Sequence, residues 1–314
     1  GCLSRIFQPP FKDISCAINP AAGREKDYAL KPAEKKKKVA VIGGGISGME
    51  AARVSAIRGH EVHLYEKKGQ LGGVFNAAAA FEFKEADKRL LTWYGKQMDA
   101  VGVKVHLNTE FKEEDAGGFD TIFVATGAHE KKLDLPGFDS PNVSYAIDML
   151  LNKPIENKNV VVVGGGLTGC EIAYALAMKG CKVSIVEVEG TILNVEGLNA
   201  ANYNFLVESL ERYNVQILKN ACVKKYEDGK VTVEIKTMNF PNAMGRAATV
   251  SLQGIRKEVK EIPADEVIIS IGYDSDNSLY EKIKGDNVFL IGDAVSPGNV
   301  MTAIWSAYEL AMNN

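Results

Sequence analysis

Short, nearly unbroken apolar runs alternate along this chain with longer stretches of helical period. Residues 39–42, 121–124, 160–163 and 288–291 are such runs, and their length and flanking glycines predict buried strands. The runs at 39–42 and 160–163 each open the same series. Glycines follow at the spacing G-x-G-x-x-G, then an Ala-rich helix (167–178 in the second copy), then a strand that closes on an acid, Glu66 or Glu187. Amphipathic period predicts further helices over 83–101, near 202–213 and from about 300, with strands at 103–107, 182–187, 215–218 and 266–270. Asp228-Gly229 between two alternating runs marks a hairpin. Pro136-Gly137 and Pro141 punctuate a crossing between domains, and Ile271-Gly272-Tyr273 closes the second one. Residues 1–37 contain Pro9, Pro10, Pro20 and Pro32, which disfavour long helices and predict an extended segment wrapped on the first domain. The resulting division is 1–37, then 38–140 with 274–314, and 141–273 between them.

The repeated series has a chemical reading. Gly43 permits a tight turn, Gly45 lets a pyrophosphate approach the backbone, and Gly48 lets helix and strand pack closely. Free N–H groups at the helix start, at Ile46 and Ser47, suit phosphate oxygens. Glu66 lies 23 residues after Gly43, where a carboxylate can accept from ribose hydroxyls; Glu187 lies the same 23 residues after Gly164. One such motif is a weak signal, but two copies 121 residues apart predict two dinucleotide sites, one for an electron donor and one for an acceptor. The glycine-rich stretch 69–74, with Gly72, Gly73 and Val74, is expected to bring backbone up to a bound cofactor. Gly292-Asp293, directly after an apolar strand, is placed to bond a sugar-alcohol chain, and as an isolated pair it reads equally as a helix cap. The helix start near Met301 and Thr302 offers positive dipole to a ring that becomes anionic on reduction.

Composition narrows the classes. The chain has 314 residues, enough for two domains, and 37 basic against 40 acidic residues, a net charge of −3 that argues against nucleic acid as partner. No apolar run is long enough to span a bilayer and there is no signal-peptide pattern. Five cysteines without a regular framework fit a reducing cytoplasm. The chain starts Gly-Cys, which is expected of a fragment of something longer. No C-x-x-C or C-x-x-x-x-C is present, so a dithiol centre is excluded. Cys170 reads as a buried small hydrophobe, His60 and His63 lack companions for a metal site, and Lys35 to Lys38 read as a solvated approach to the first strand. His129, after Thr126-Gly127, is a minor candidate near a cleft. Glu171 either orients a nicotinamide amide or is a solvated or capping glutamate.

The series GGGISG, LGG, ATG, GGGLTG, IGY and IGDA resembles the α/β flavoprotein fold of the disulfide-reductase type, with two Rossmann-like dinucleotide-binding domains, the second inserted in the first. More narrowly, the stretches 1–25 and 291–311 resemble the C-terminal half of the iron-sulfur flavoenzymes related to 2,4-dienoyl-CoA reductase, 2-enoate reductase and trimethylamine dehydrogenase. That resemblance implies that Gly43, Gly45, Ile46, Ser47, Gly48, Glu66, Lys67, Gly72, Gly73, Val74, Ala125, Thr126, Gly127, Gly292, Asp293, Met301 and Thr302 hold FAD. Gly164, Gly166, Leu167, Thr168, Gly169, Glu187 and Gly272 would hold NAD(H). Cys2 and Cys16 match two of the four cysteines that hold a four-iron four-sulfur cluster in such enzymes. The other two, and an FMN barrel, are missing from this chain. The run 77–83, AAAAFEF, departs from the family, whose members carry a proline-containing loop there.

The expected activity is hydride transfer from NADH to FAD, onward in the full-length protein through the cluster to an FMN barrel that reduces an enoate or similar substrate. Two other readings stay open: a stand-alone NADH-dependent reductase of a small electron-carrier protein, and a non-catalytic nucleotide-binding scaffold. Association of like chains is also left open.

Overall fold

The computed structural model describes residues 14–238 and 255–314. The chain divides into two compact units. Residues up to His129 together with Tyr273–Asn314 form one, and Glu130–Gly272 form the other.

The first unit is built on β1 (Lys38–Ile42), α1 (Ile46–Ile57), β2 (Glu61–Tyr65), α2 (Glu85–Ala100), β3 (Lys104–His106) and β4 (Thr121–Val124). The late strand Val288–Leu290 pairs with β4, giving a five-stranded parallel sheet in which β1 lies between β4 and β2, with β3 beyond β2. Both faces of β1 are covered, which is why its sequence runs apolar without alternation. Val39 and Val41 pack with Met49, Tyr94, Met98 and the C-terminal helix Val300–Asn313 through Ile304 and Tyr308. Ala40 and Ile42 join Phe111, Ile122 and Val288 on the other face. Inside the first cluster Glu50 is buried. Arg53 meets it with two hydrogen bonds of 2.8 and 2.9 Å and the Tyr94 hydroxyl donates to it, so the charge is paired and hydrogen-bonded as burial demands.

Residues 14–37 hold neither helix nor strand; turns occupy 20–23 and 25–27, and the segment packs on the C-terminal helix. Arg24 sits over the rings of Tyr28 and Trp305 at 3.9 and 4.2 Å, and Trp305 Nε1 donates to the carbonyl of Cys16 at 3.0 Å. Arg58 donates to the carbonyls of Lys31 and Ala311, joining both partners to α1. The helix expected over 83–101 begins at Glu85, because Phe81 and Phe83 stack on each other at 5.1 Å before it. The AAAAFEF run is packed rather than loose: Ala77, Ala79 and Phe81 are buried.

The second unit contains β5 (Val143–Tyr145), β6 (Asn159–Val163), α3 (Leu167–Met178), β7 (Lys182–Val186), α4 (Ala200–Arg212), β8 (Gln216–Leu218), β9 (Ala221–Glu227), β10 (Lys230–Met238), β11 (Ile255–Pro263) and β12 (Glu266–Ile269). Its parallel sheet has the order β5-β12-β6-β7-β8, and β9-β10-β11 form an antiparallel sheet packed on it through Val161, Val163, Tyr226, Val231, Val233 and Val267. Asp228 and Gly229 have φ of 50° and 69°, the left-handed pair that a two-residue hairpin requires. The change of unit falls at residue 130, earlier than the Pro136-Gly137 punctuation suggested. Leu133, Leu135 and Phe138 pack on the second core, and Tyr226 N–H donates to Pro136 O at 3.0 Å, so those residues are part of the unit rather than a link to it. Among the described residues no helix is long and apolar enough to cross a membrane.

Candidate functional site

Each unit carries the same cradle at the C-terminal end of its first central strand. Gly43 has φ 107° and a Cβ there would stand 2.2 Å from Ala125 O; at Gly48 it would stand 1.9 Å from Gly43 O. These two glycines are demanded by backbone contact. Gly45 is different: a Cβ there would meet nothing within 4 Å. It is the N-cap of α1 and no side chain caps it, so the N–H groups of Ile46 and Ser47 have no capping acceptor. The second unit repeats the geometry. Added carbons would lie 2.2 Å from Ser270 O at Gly164 and 2.1 Å from Gly164 O at Gly169, and Gly166, which caps the start of α3 at Leu167 and Thr168, again meets nothing. An anion can reach backbone N–H groups at both places, and the pyrophosphate of a dinucleotide fits the donor set.

The acids are held alike. Glu66 is buried; its Oε2 accepts from Gly44 N–H and its Oε1 from Lys68 N–H, both at 2.8 Å. Glu187 is buried too, its Oε2 accepting from Gly165 N–H at 2.5 Å and its Oε1 from Glu189 N–H at 2.7 Å. Each carboxylate is thereby fixed in orientation and keeps lone pairs for ribose hydroxyls. Lys67 beside Glu66 is exposed.

The glycine-rich stretch after Glu66 forms a wall on the first cradle. Gly72 N–H donates to Gly44 O at 2.8 Å, and a Cβ on Gly73 would lie 3.1 Å from Gly45 Cα, while Val74 is half-exposed. A counterpart in the second unit escaped sequence reasoning. Leu193 N–H donates to Gly165 O at 2.7 Å with φ 57°, and Ile192 lies over Gly165 as Leu71 lies over Gly44. The residues concerned, 71 and 192, lie at the same distance after their first glycines, so the repeat itself was the available signal.

The remaining candidates of the first unit lie at the ends of β4 and of the late strand. Ala125 N–H donates to Ile42 O at 2.8 Å, Gly127 takes φ 78°, and the Thr126 hydroxyl donates to the Asp276 carbonyl. Gly292, at φ 62°, sits against Ser47: a Cβ would lie 2.0 Å from its Oγ. This contact brings Gly292-Asp293 to the start of α1. Asp293 accepts from Gly298 N–H at 3.1 Å, and burial pushes its carboxyl above the usual range. At the C-terminal helix, Asn299 and Thr302 form a reciprocal capping box, so Thr302 N–H and hydroxyl are engaged. The first-turn N–H groups without an intrahelical acceptor are those of Val300 and Met301. In the second unit Gly272 adopts φ 98° and Glu171 is half-buried.

The side candidates resolve simply. Cys170 is fully buried, donates to Gly165 O, and burial pushes its thiol up to about 12, so it is no thiolate. His60 accepts from Lys37 N–H, and burial lowers its pKa; His63 pairs with His106 at 3.1 Å. His129 is exposed. Among the described residues no group of three or more His, Cys, Asp or Glu could hold a metal. Cys16 is a free, half-buried thiol, and Cys2 lies outside the described residues.

The profile of the pyridine nucleotide-disulphide oxidoreductase family matches residues 22–119 and 113–307. Cinnamate reductase of Clostridium sporogenes is 39% identical over all of this chain and 44% of its own length. NADH oxidase of Thermoanaerobacter brockii is 34% identical over 99% of this chain and 46% of its own. The structure of 2-naphthoyl-CoA reductase in complex with 2-naphthoyl-CoA is similar with a TM-score of 0.81 at 28% identity, over 96% of this chain and 44% of that one. The chain spans about half the length of the relatives it matches.

Proposed function

The chain belongs to the pyridine nucleotide-disulphide oxidoreductase family, and from that premise we propose that it is the NADH-to-FAD half of a flavoenzyme of the 2-enoate and dienoyl-CoA reductase type. The observation that carries the reading is the duplicated cradle, with Gly45 and Gly166 both open and Glu66 and Glu187 both fixed by two N–H groups. In this reading the first unit takes FAD. Ile46 and Ser47 N–H groups bind its pyrophosphate, Glu66 accepts from the adenosine ribose, and Asp293 accepts from the sugar-alcohol chain. The first turn of the C-terminal helix, at Val300 and Met301, would offer its positive end to the flavin ring. The second unit takes NAD(H), with α3 at the pyrophosphate and Glu187 at the ribose. When bound, the nicotinamide supplies hydride to the flavin. The protein's part is to hold each nucleotide by its phosphates and ribose, and no general acid or base is needed.

Glu187 also selects the nucleotide. Its two oxygens are tied to Gly165 and Glu189 N–H, so the carboxylate cannot turn aside, and positions 188–192 contain Glu189 and no Arg or Lys. A 2′-phosphate there would face uncompensated negative charge. Cys2 and Cys16 would supply two of the four thiolates that a four-iron cluster needs. The rest of the full-length protein would then supply the other two, the FMN barrel and the site that chooses an enoate, the class to which the name of the Clostridium relative points. The test is FAD uptake by the purified chain, and bleaching of that FAD by NADH. A chain that takes up neither nucleotide would refute the proposal.

A further inference from the structure

Among the described residues, the antiparallel sheet of the second unit ends in an open strand: β11 is its outer member and is bonded to β10 alone. The hairpin at Asp228-Gly229 closes on the pair Glu227–Lys230, which sets the alternation of the ladder. Lys230 turns its N–H and C=O to β9 and Val231 turns its own to β11; Lys236 N–H, donating to Asn220 O at 2.9 Å on the β9 side, keeps the same phase. Through the register Val231–Ile262, residues 256, 258, 260 and 262 bond to β10. Lys257, Val259 and Glu261 therefore direct their backbone groups out of the sheet. Pro263, which has no N–H, ends the row.

The side chains on this edge are as open as its backbone. Val259 is 66% exposed, and Lys257, Glu258, Lys260 and Glu261 are each about half exposed or more. Edge lysines ordinarily repel a second strand. Here lysine and glutamate alternate symmetrically about Val259, in the order Lys257, Glu258, Val259, Lys260, Glu261. Laid antiparallel against itself with a two-fold axis at Val259, the strand sets Lys257 opposite Glu261 of the second copy on one face and Glu258 opposite Lys260 of the second copy on the other. The axis repeats both pairs. Val259 meets its own copy in the centre, at a position where each can exchange two backbone hydrogen bonds. Moving the axis to residue 260 sets lysine against lysine. Moving it to residue 258 sets glutamate against glutamate and Arg256 against Lys260, so the charges accept one register and reject its neighbours.

We propose that β11 is a homodimerisation edge, on which a second copy of this chain adds its own β11 antiparallel about Val259 and the two antiparallel sheets become one of six strands. In the present intrachain pairs, Lys230–Glu261 at 3.0 Å, Lys257–Glu234 at 3.4 Å and Lys260–Glu258 at 3.4 Å, the four β11 side chains are exposed and can share their charges with the second copy. Three outward-bonding residues make a small contact, so the association is concentration-dependent. The inference is independent of which nucleotides the cradles hold.

The experiment is sedimentation velocity of the chain over a concentration series, with charge reversals on the edge. The wild type should pass from its 34.0 kDa monomer to a species of twice that mass. Glu258→Lys and Lys260→Glu should each weaken association at least tenfold. The double swap Glu258→Lys/Lys260→Glu should restore it, because both the intrachain and the intercopy pairs are rebuilt. Val259→Pro should abolish it while leaving the fold intact, since that N–H bonds nothing within the sheet. Oxidised Val259→Cys should cross-link two copies where the wild type does not. A chain monomeric at every concentration, or dimers untouched by Val259→Pro and both reversals, would overturn the proposal.

Discussion

Gly166 and Gly169 stand three residues apart in one turn, yet the structure assigns them opposite sensitivities. At Gly166 the backbone is extended, with φ −69° and ψ −175°, and a Cβ meets nothing within 4 Å. Serine is a preferred N-cap in that conformation, so Gly166→Ser should leave the melting temperature unchanged or slightly raised. Its side chain nonetheless occupies the space through which a pyrophosphate reaches the N–H groups of Leu167 and Thr168. Losing one hydrogen bond to a charged group, worth about 1.5–3 kcal/mol, weakens NADH binding by about 10- to 150-fold at ~1.4 kcal/mol per decade. Gly169→Ala does the reverse. Its Cβ would lie 2.1 Å from Gly164 O, against a practical limit of 3.0 Å, so α3 and β6 must separate. Overpacking of this kind costs about 1–3 kcal/mol, a fall of about 3–10 °C for a unit of this size. Thermal unfolding by circular dichroism and the NADH dependence of flavin reduction by stopped flow separate the two. A Gly166→Ser protein that binds NADH like the wild type, or that melts several degrees lower, would refute the assignment of the open glycine.

Three further expectations are checked with the same preparations. NADH should reduce the flavin with a second-order rate constant at least tenfold that of NADPH, about 1.4 kcal/mol; equal constants would remove Glu187 as the selector. Asp293→Asn should lower FAD retention on dialysis, yet the FAD-free protein should melt no lower than the wild type at neutral pH. Burial raises the Asp293 pKa, so its ionised form opposes folding once the pH rises above the ordinary carboxylate range, and the amide removes that opposition; a marked drop in the melting temperature of the FAD-free variant would count against it. The isolated chain should carry little iron and should pass electrons from NADH to dyes but not to an enoate, since Cys2 and Cys16 are two thiolates where a cluster needs four; stoichiometric iron or enoate turnover would show that the N-terminal segment has been misread.

The parts of the fold legible in the sequence are those where burial and backbone geometry restrict the residue type. β1, β4 and β6 are buried on both faces, so their apolar runs announced them, and the close contacts at Gly43, Gly48, Gly164 and Gly169 admit only glycine. The wall at Ile192 and Leu193 was not legible from local pattern, because a leucine at φ 57° breaks the usual residue preference and the segment has no glycines like those at 72 and 73. The three-residue β5 is too short for any periodicity to register. Pro136-Gly137 looked like a link because turn residues carry the same signature whether the turn faces solvent or, as here, packs on Tyr226: a Cβ on Gly137 would stand 1.8 Å from Tyr226 O. The capping box was readable in Asn299 and Thr302, three residues apart, and its effect is to engage a residue that sequence reasoning had assigned to the cofactor.

Anaerobic titration is the test of hydride transfer from a dinucleotide in the second cradle to one in the first. The FAD-loaded chain is mixed with increasing NADH while the flavin absorbance is followed. Full bleaching is expected at one equivalent of NADH, and Gly166→Ser should keep its FAD and bleach to the same end point at least tenfold more slowly at low NADH. A chain that binds FAD and keeps its colour under excess NADH would contradict it.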